Sequence, residues 1–318
     1  MIIRFTALSF LCMTFSVNCA AACSDITLSK QIDQDVLWND ISVLANTQMQ
    51  GRETATSGGK LAAQYIRQRY QNIGLKTFPL IENYLQHFSF SKGWSEIVGA
   101  NVLGWIEGNK KSDKFIIVSA HYDHLGHRGG KTFNGADDNA SGVAALLSIA
   151  QYIADNGSHY SIVFVATDAE EKGLHGAKAF LSDPPVAIKS ISYNLNLDML
   201  GGGGRHKRLY VTPSKGHSGL QSVIQSVIDT AGLCLVKGHR SSRKNSTNRG
   251  HINWRLASDH AAFGKKNIPY LYVGVGDHSR YHTVNDTTAN IDRLFFNAAS
   301  QTALSLLLGL DSLIEANN

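Results

Sequence analysis

The segment 115–142 places histidine and carboxylate side chains around the end of a short apolar run. Its sequence is FIIVSAHYDHLGHRGGKTFNGADDNASG. The run Phe115–Ala120 is partly β-branched and bounded by polar residues, which predicts a buried strand. His121 and Asp123 follow it two positions apart, and residues two apart on a strand share a face. A histidine that binds a metal usually donates its other ring N–H to a carboxylate. The spacing therefore fits either a metal site or an ordinary surface pair.

The acidic pair Asp137 and Asp138 in the same segment favours the metal site. Adjacent carboxylates repel each other unless a cation compensates their charge. Glu170 and Glu171 follow a second apolar run that predicts a strand, and Asp198 follows a third. Because the carboxyl ends of parallel strands meet at one edge of a sheet, these side chains should gather there.

The types and charges of these ligands indicate which metal they would hold. Oxygen and imidazole ligands suit zinc, manganese or cobalt. Asp137, Glu171 and Asp198 supply three negative charges, and a bridging hydroxide would supply a fourth. Together they balance two divalent cations, whereas without metal the clustered carboxylates would be uncompensated. Glu170 then remains available for proton transfer.

The elements that must position these residues predict an α/β fold. Of 318 residues, 43% are hydrophobic and 17% are charged, which excludes a disordered chain and supports a sizeable core. We predict one domain over 23–318, with a central, mostly parallel mixed sheet and helices on both faces. The predicted strands are 86–91, 96–106, 115–120, 161–166, 191–197, 207–212 and 268–273. The predicted helices are 30–45, 60–73, 140–155, 177–181, 217–231 and 290–314.

Residues 1–22 have the pattern of a secretory signal peptide. Arg4 is the only charged residue in this stretch, an apolar region follows, and the small residues before Cys23 suit cleavage. The apolar region is too short and too often interrupted for a membrane span. We therefore expect an exported protein, periplasmic or secreted, without a transmembrane segment. A lipoprotein signal, with lipid attached to Cys23, is the alternative.

Three further sequence features carry weaker functional signals. Cys23 and Cys234 are the two cysteines beyond the predicted signal, and they could pair in an oxidising compartment. The segment Lys237–Arg255 contains six basic residues and no acid, which indicates a solvated loop or a cationic rim on the site. Gly201–Gly204 lacks the features of a phosphate-binding loop and predicts a flexible one. We expect no nucleic-acid partner.

Six motifs along the chain together resemble a known enzyme family. They are, in order, HYDHLG, GADDNASG, TDAEEKGLHG, NLNLDMLG, SDHAAF and YHTVNDT. This set is similar to the co-catalytic di-zinc aminopeptidases of peptidase family M28, typified by bacterial secreted leucyl aminopeptidase. The resemblance covers about 51–310, and the set is specific although each motif alone is weak. It implies a fold of the zinc-peptidase, phosphorylase/hydrolase-like type.

The resemblance also implies roles for individual residues. One zinc ion would be held by His121 and Asp198 and a second by Glu171 and His282, with Asp137 bridging the two. Two further roles concern catalysis and support: Glu170 matches the general base, and Asp123 matches the partner that orients His121. The Asp137–Asp138 peptide is expected to be cis. The remaining histidines near these motifs are expected to be loop or supporting residues: His124, His127, His175, His260 and His278.

These roles imply a metallo-aminopeptidase that hydrolyses the first peptide bond of peptides. The nucleophile would be a hydroxide that bridges the metals. A carboxypeptidase or dipeptidase of the same family is an alternative, with Arg205, Arg208 or the basic segment meeting the terminal carboxylate. A single-zinc cyclase fits less well because all five ligands are present. A non-catalytic binding ectodomain is a further alternative, which loss of Glu170 or of a ligand would indicate.

Overall fold

A central sheet of eight strands organises the structure, a computed structural model that describes residues 26–202, 207–239 and 253–313. The strands in spatial order are β1 (Leu85–Lys92), β2 (Ser95–Ile106), β6 (Tyr160–Thr167), β3 (Lys111–His121), β7 (Ile191–Leu197), β10 (Tyr270–Gly274), β8 (Arg208–Pro213) and β9 (Cys234–Lys237). The four central strands β6, β3, β7 and β10 are parallel, and antiparallel pairings join β2 and β8 to them. A separate hairpin is formed by β4 (Gly126–Arg128) and β5 (Lys131–Phe133).

Helices cover both faces of this sheet. They are α1 (Gln34–Leu44), α2 (Ser57–Ile73), α3 (Gly142–Asn156), α4 (His175–Ser182), α5 (Ser218–Thr230), α6 (His260–Lys265) and α7 (Arg293–Leu313). One hydrophobic cluster joins one face of the sheet to α1, α2, α3, α5 and α7. A smaller cluster joins the other face to α4 and α6. The predicted α/β class, with a mixed sheet between two helical layers, is confirmed.

Local sequence signals explain where several elements begin and end. The Thr56 hydroxyl accepts the Gly59 N–H at 3.2 Å, which satisfies a free donor at the start of α2. Gly74 ends that helix at φ 85°, a left-handed conformation that glycine adopts without steric cost. Every residue of β6 is buried, as expected for a parallel strand covered on both faces. Within the described residues, no helix is long and apolar enough to cross a membrane.

The predicted strands and long helices occur within a few residues of their expected positions. Three short elements were not predicted: the β4–β5 hairpin, β9 and α6. Each strand of the hairpin has three residues, β9 has four and α6 has six. Segments of this length contain too few residues to show a hydrophobic period. Tertiary contacts therefore determine their conformation.

The topology brings the functional motifs to one edge of the sheet. β3, β6 and β7 are parallel, so His121, the turn after Thr167 and Asp198 all lie at their carboxyl ends. β2 runs antiparallel to β6 and pairs with it only from Val102 onward. The part of the β1–β2 hairpin that precedes Val102 in β2 therefore extends beyond the same edge of the sheet.

Candidate metal centre

Two groups of potential ligands lie side by side at this edge. The first comprises His121, Asp138 and Asp198, and the second comprises His124, Asp138, Glu171 and His282. Within each group, one ligand atom from every residue lies within 4.8 Å of the others. Asp138 belongs to both groups. The described residues thus contain two adjacent candidate metal sites that share one carboxylate.

Each oxygen of Asp138 faces a different group. Its Oδ1 lies 3.4 Å from His121 Nε2, and Asp198 Oδ1 lies 3.4 Å from the same nitrogen. Its Oδ2 lies 3.0 Å from His282 Nε2, which in turn lies 3.1 Å from Glu171 Oε1. This is the arrangement expected of a carboxylate that bridges two cations.

The expectation that Asp137 bridges the metals is wrong in this structure. Its Oδ2 lies 2.7 Å from His278 Nε2, and its Oδ1 accepts the Gly201 N–H at 2.7 Å. Adjacent residues in an extended backbone point their side chains in opposite directions, and Asp138 is extended, with φ −106° and ψ 93°. Only one of the two carboxylates can therefore face the centre. The cis peptide also lies one residue later than expected, between Asp138 and Asn139.

His124 lies in the second group, although the sequence suggested a loop or supporting role. It is 1% exposed, and its Nδ1 lies 2.9 Å from Glu171 Oε1. The sequence places it one residue after Asp123, so its proximity to the site was visible. The direction of its ring depends on how the loop after β3 turns, and local pattern does not define that turn.

Several buried polar atoms of the two groups form no hydrogen bond of acceptable geometry, although they lie within ion-pair distance of one another. Among the described residues, these atoms are both ring nitrogens of His124, His282 Nε2, Asp138 Oδ2, Glu171 Oε1 and Asp198 Oδ1. Buried polar atoms in native proteins are nearly always paired, so a set of converging exceptions needs a cause. Bound cations provide one, and nitrogen and oxygen ligands in this combination suit zinc. The residues present therefore fit the predicted metal.

Charges within the centre shift the acid–base behaviour of its ligands. Burial acts to raise the pKa of Asp138, but His121, His124 and His282 hold it well below its ordinary value. Burial acts to lower the pKa of His121, but Glu170 and Asp198 raise it well above its ordinary value. The carboxylate is thus ionised, as metal binding requires, whereas a proton on His121 would compete with the metal.

Asp123 supports the centre from behind. Its backbone carbonyl oxygen lies 3.1 Å from His121 Nδ1, which leaves Nε2 of that ring facing the carboxylates. Its carboxylate accepts the backbone N–H groups of Glu170 at 3.0 Å and of Glu171 at 3.3 Å. Asp123 therefore orients one histidine and also positions the turn that carries both glutamates.

Glu170 lies beside the two groups but belongs to neither. It follows Ala169, whose φ is 56°, in the turn after β6, and its neighbour Glu171 is the residue that faces the second group. Burial raises the pKa of Glu170 well above its ordinary value, partly offset by His121, and Asp198 raises it further. An acid with a raised pKa next to a metal site is suited to accept and return a proton.

Asp286 and Asn139 hold the turn that presents Asp138. Asp286 accepts the backbone N–H of Asp137 at 2.8 Å and that of Asp138 at 3.1 Å, one with each carboxylate oxygen. The Asn139 side chain donates to Leu197 O at 3.0 Å, which fixes the turn to the end of β7. Asp286 lies in the YHTVNDT motif, but the motif alone does not indicate its two backbone partners.

Arg52 is fully buried behind the centre and joins three segments of the chain. Its guanidinium donates to Tyr122 O and Leu44 O, each at 2.8 Å, to Asn134 O at 2.6 Å and to Gly135 O at 2.8 Å. Burial lowers the pKa of Arg52 to about 10, although the carboxylates of Asp286 and the centre act to raise it. Arg52 therefore stays charged at neutral pH and fixes the loops that precede and follow the ligands.

We expect Arg52→Met to lower the free energy of unfolding by at least about 3 kcal/mol. The apolar side chain removes the guanidinium donor from four carbonyl groups, of which Gly135 O keeps the Ala140 N–H at 3.2 Å. Each buried carbonyl group left unpaired costs about 1–3 kcal/mol unless water enters. Urea unfolding followed by circular dichroism measures the change. Arg208→Met, on the partly exposed strand β8, serves as the control and should change stability by less than about 1 kcal/mol. Equal losses in both variants would contradict the structural role of Arg52.

The other residues that the sequence singled out lie apart from the two groups. His127 is on the exposed side of β4 and contacts Thr132 at 3.1 Å. His175 stacks on Phe90, His260 stacks on Tyr272, and His278 pairs with Asp137. Arg205 and most of the basic segment, 240–252, lie outside the described residues, as do Cys23 and the predicted signal 1–22.

Solved structures with the same fold include three bacterial enzymes. The zinc aminopeptidase BSAP from Bacillus subtilis matches 88% of this chain and 95% of its own, with a TM-score of 0.68 at 16% identity. The LapA aminopeptidase of Legionella pneumophila matches 89% of this chain and 73% of its own, with a TM-score of 0.67 at 19% identity. A leucine aminopeptidase precursor from Bacteroides thetaiotaomicron matches 89% of this chain and 99% of its own, with a TM-score of 0.67 at 18% identity. At these identities, the likeness establishes the fold.

Curated relatives share more sequence over shorter stretches. The alkaline phosphatase isozyme conversion protein of Escherichia coli is 33% identical over 165 residues, which is 47% of this chain and 47% of that protein. A vacuolar membrane protease of Schizosaccharomyces pombe is 36% identical over 119 residues, or 37% of this chain and 13% of the relative. The chain thus spans about half of the first relative and much less of the second.

The family model described as Peptidase family M28 matches residues 101–307, a range that contains both ligand groups. The chain therefore belongs to peptidase family M28.

Proposed function

We propose that this protein is a zinc-dependent exopeptidase that removes the first residue of peptides. One observation carries the proposal: two adjacent ligand groups share Asp138, and a separate glutamate, Glu170, stands beside them. Membership of a peptidase family supports peptide bonds as the substrate. A binding protein without catalysis would not need Glu170, and both that residue and the ligand groups are present.

The residues divide into those that would hold metal and those that would act on the substrate. His121 and Asp198 would hold one zinc ion, His282, Glu171 and His124 would hold the other, and Asp138 would contact both. Zinc bound there would lower the pKa of water and polarise the scissile carbonyl group. Glu170 accepts the proton of the attacking water and delivers it to the leaving amine.

The choice of the amino end rests on the family resemblance and on the charge of the site. Several carboxylates, Glu170 and Asp198 among them, surround the place where the substrate would react, and a positively charged α-amine is favoured there. A carboxypeptidase or dipeptidase remains the alternative. Arg208, one cation suggested for it, lies on β8, which is four strands from β6 and two strands from β7 in the sheet.

We expect acetylation of the α-amine of a peptide to abolish cleavage. The blocked amine can no longer carry the positive charge that the carboxylates would meet. Matched free and acetylated peptides, incubated with the purified zinc-loaded protein and analysed by mass spectrometry, test this. Equal cleavage of both forms, or release of residues from the carboxyl end, would favour the carboxypeptidase alternative.

We also propose that the protein is exported. Cys234 forms a disulfide bond, and disulfides persist mainly in oxidising compartments. The Thr27 N–H donates to Gly232 O at 2.8 Å, so the chain shortly after Cys23 runs beside the loop that leads into β9. Cys23 itself lies outside the described residues, but it is the nearest cysteine to Thr27 along the sequence, and we infer that it is the partner.

For the exported protein, we expect a mature amino terminus near Ala22 or Cys23. Peptide mapping without reduction should recover Cys23 linked to Cys234, and reduction should release the two peptides. Mass spectrometry of the intact protein provides both the cleavage site and the linkage. Retention of Met1 in the exported fraction would contradict the signal peptide, and an acylated Cys23 would establish the lipoprotein alternative.

A further inference from the structure

A cleft opens beside the second ligand group, between two hairpins. The β1–β2 hairpin turns at the pair Lys92 and Ser95, and the β4–β5 hairpin turns at the pair Arg128 and Lys131. We call the space between them the cationic cleft. It has a volume of about 270 Å³, and its charged lining residues are Lys92, Arg128, Glu171 and Lys172.

The cationic cleft is continuous with the metal centre. Two of its lining residues, His124 and Glu171, belong to the second ligand group. One wall is formed by the stacked rings of Phe90 and His175, whose centroids are 3.9 Å apart with an interplanar angle of 9°. The volume is just below the range of about 300–1,000 Å³ for drug-sized ligands, so the cleft suits a small group such as the end of a peptide.

The charges of the cleft favour an anion. Lys172 Nζ lies 2.7 Å from Glu53 Oε1, so that cation is already paired. Lys92 and Arg128 are exposed, and neither forms an ion pair with any residue in the described ranges. Glu171 faces His124 and His282 and would be neutralised further by metal. Two cations, one from each hairpin, are therefore available to a ligand.

We propose that the cationic cleft binds a carboxylate on the residue that follows the scissile bond. The inference rests on the proposed function, because it takes the substrate to react at the adjacent metal centre. The carboxylate has two sources: the carboxyl terminus of a dipeptide, or the side chain of an acidic second residue. Arg128 suits this partner because a guanidinium can bind a carboxylate through two parallel hydrogen bonds. The substrate class is then short or acidic peptides.

Matched substrates separate the two sources of the carboxylate. With the first residue held constant as leucine, Leu-Leu is compared with Leu-Leu-amide, and Leu-Glu-amide with Leu-Gln-amide. Exposed ion pairs contribute about 0.2–1 kcal/mol each, so two of them predict a preference of about twofold to thirtyfold in kcat/KM for the anionic member. The preference should fall at high salt, since these cations are exposed to solvent.

Variants of the two cations test the cleft itself. The double variant Lys92→Gln with Arg128→Gln should reduce the preference of each matched pair to near unity. The control variant carries Lys111→Gln and Lys189→Gln. Both lysines are exposed and lie at the opposite edge of the sheet: Lys111 is the first residue of β3, and Lys189 lies just before β7. The control should keep the full preference.

A binding measurement separates the cleft from catalysis. Calorimetric titration of zinc-loaded Glu170→Gln protein with each peptide should show tighter binding of the anionic member of each pair. The difference should disappear when the protein also carries Lys92→Gln and Arg128→Gln. An equal affinity for acid and amide, or a preference that survives the double variant, would overturn the proposal. Failure to cleave any peptide, with the binding preference intact, would instead refute the proposed exopeptidase function and leave the carboxylate site standing.

Discussion

Glu170→Gln is expected to remain folded and zinc-loaded while its turnover number falls by at least about a hundredfold. The substitution keeps the size and hydrogen-bonding capacity of the side chain but removes the group that accepts a proton. Loss of a general base typically costs about 10²–10⁴ in rate, which corresponds to about 3–5 kcal/mol of activation barrier. Glu170 belongs to neither ligand group, so metal content should not change.

Steady-state kinetics and zinc analysis of the same preparation check this prediction. KM and the affinity for a competitive inhibitor should stay close to those of the unmodified protein, because the change affects the transition state and not substrate binding. Glu82→Gln, distant along the chain and outside the site, is the control and should leave turnover unchanged. Loss of one zinc ion in Glu170→Gln would mean that the roles of Glu170 and Glu171 are reversed, and nearly full activity would mean that another group is the base.

The second large effect is expected at the acidic pair, where Asp138→Asn and Asp137→Asn should behave differently. Asp138 contributes an oxygen to each ligand group, so Asp138→Asn should weaken the binding of both zinc ions and abolish activity. Asp137 contacts His278 and the Gly201 backbone instead, and its amide retains an acceptor for the Gly201 N–H. We expect Asp137→Asn to change zinc affinity by no more than about tenfold, the lower end of the effect of residues that support ligands.

Competition with a chromogenic chelator measures both zinc affinities in each variant. Two variants provide the reference for an effect on a single site. Asp198→Asn alters only the first group and His282→Gln only the second, so each should weaken the binding of one zinc ion. The assignment of the shared carboxylate would be contradicted if Asp137→Asn weakened the binding of both zinc ions and Asp138→Asn did not.

The strands and their ends were predictable from the sequence because each carries a strong local signal. The apolar runs before His121, Glu170 and Asp198 are bounded by polar residues, and the parallel topology brings their carboxyl ends together. The structure accordingly brings His121, Glu170, Glu171, Asp198 and His282 together at this edge, and their roles as ligands and base stay predictions. The short hairpin β4–β5, by contrast, has no period to detect and depends on its packing beside Arg52 and Gly51.

The sequence by itself thus determined the fold class, the edge of the sheet that carries the site and the chemical types of its ligands. These follow from hydrophobic pattern and residue type, which are local properties of the chain. Only the tertiary structure decided which of Asp137 and Asp138 faces the centre, that His124 joins it, and that Lys92 and Arg128 meet across one cleft. The first two depend on the directions of side chains in turns, which are held by partners distant in the sequence such as Asp286 and Arg52. The third depends on where two separate hairpins lie in the fold.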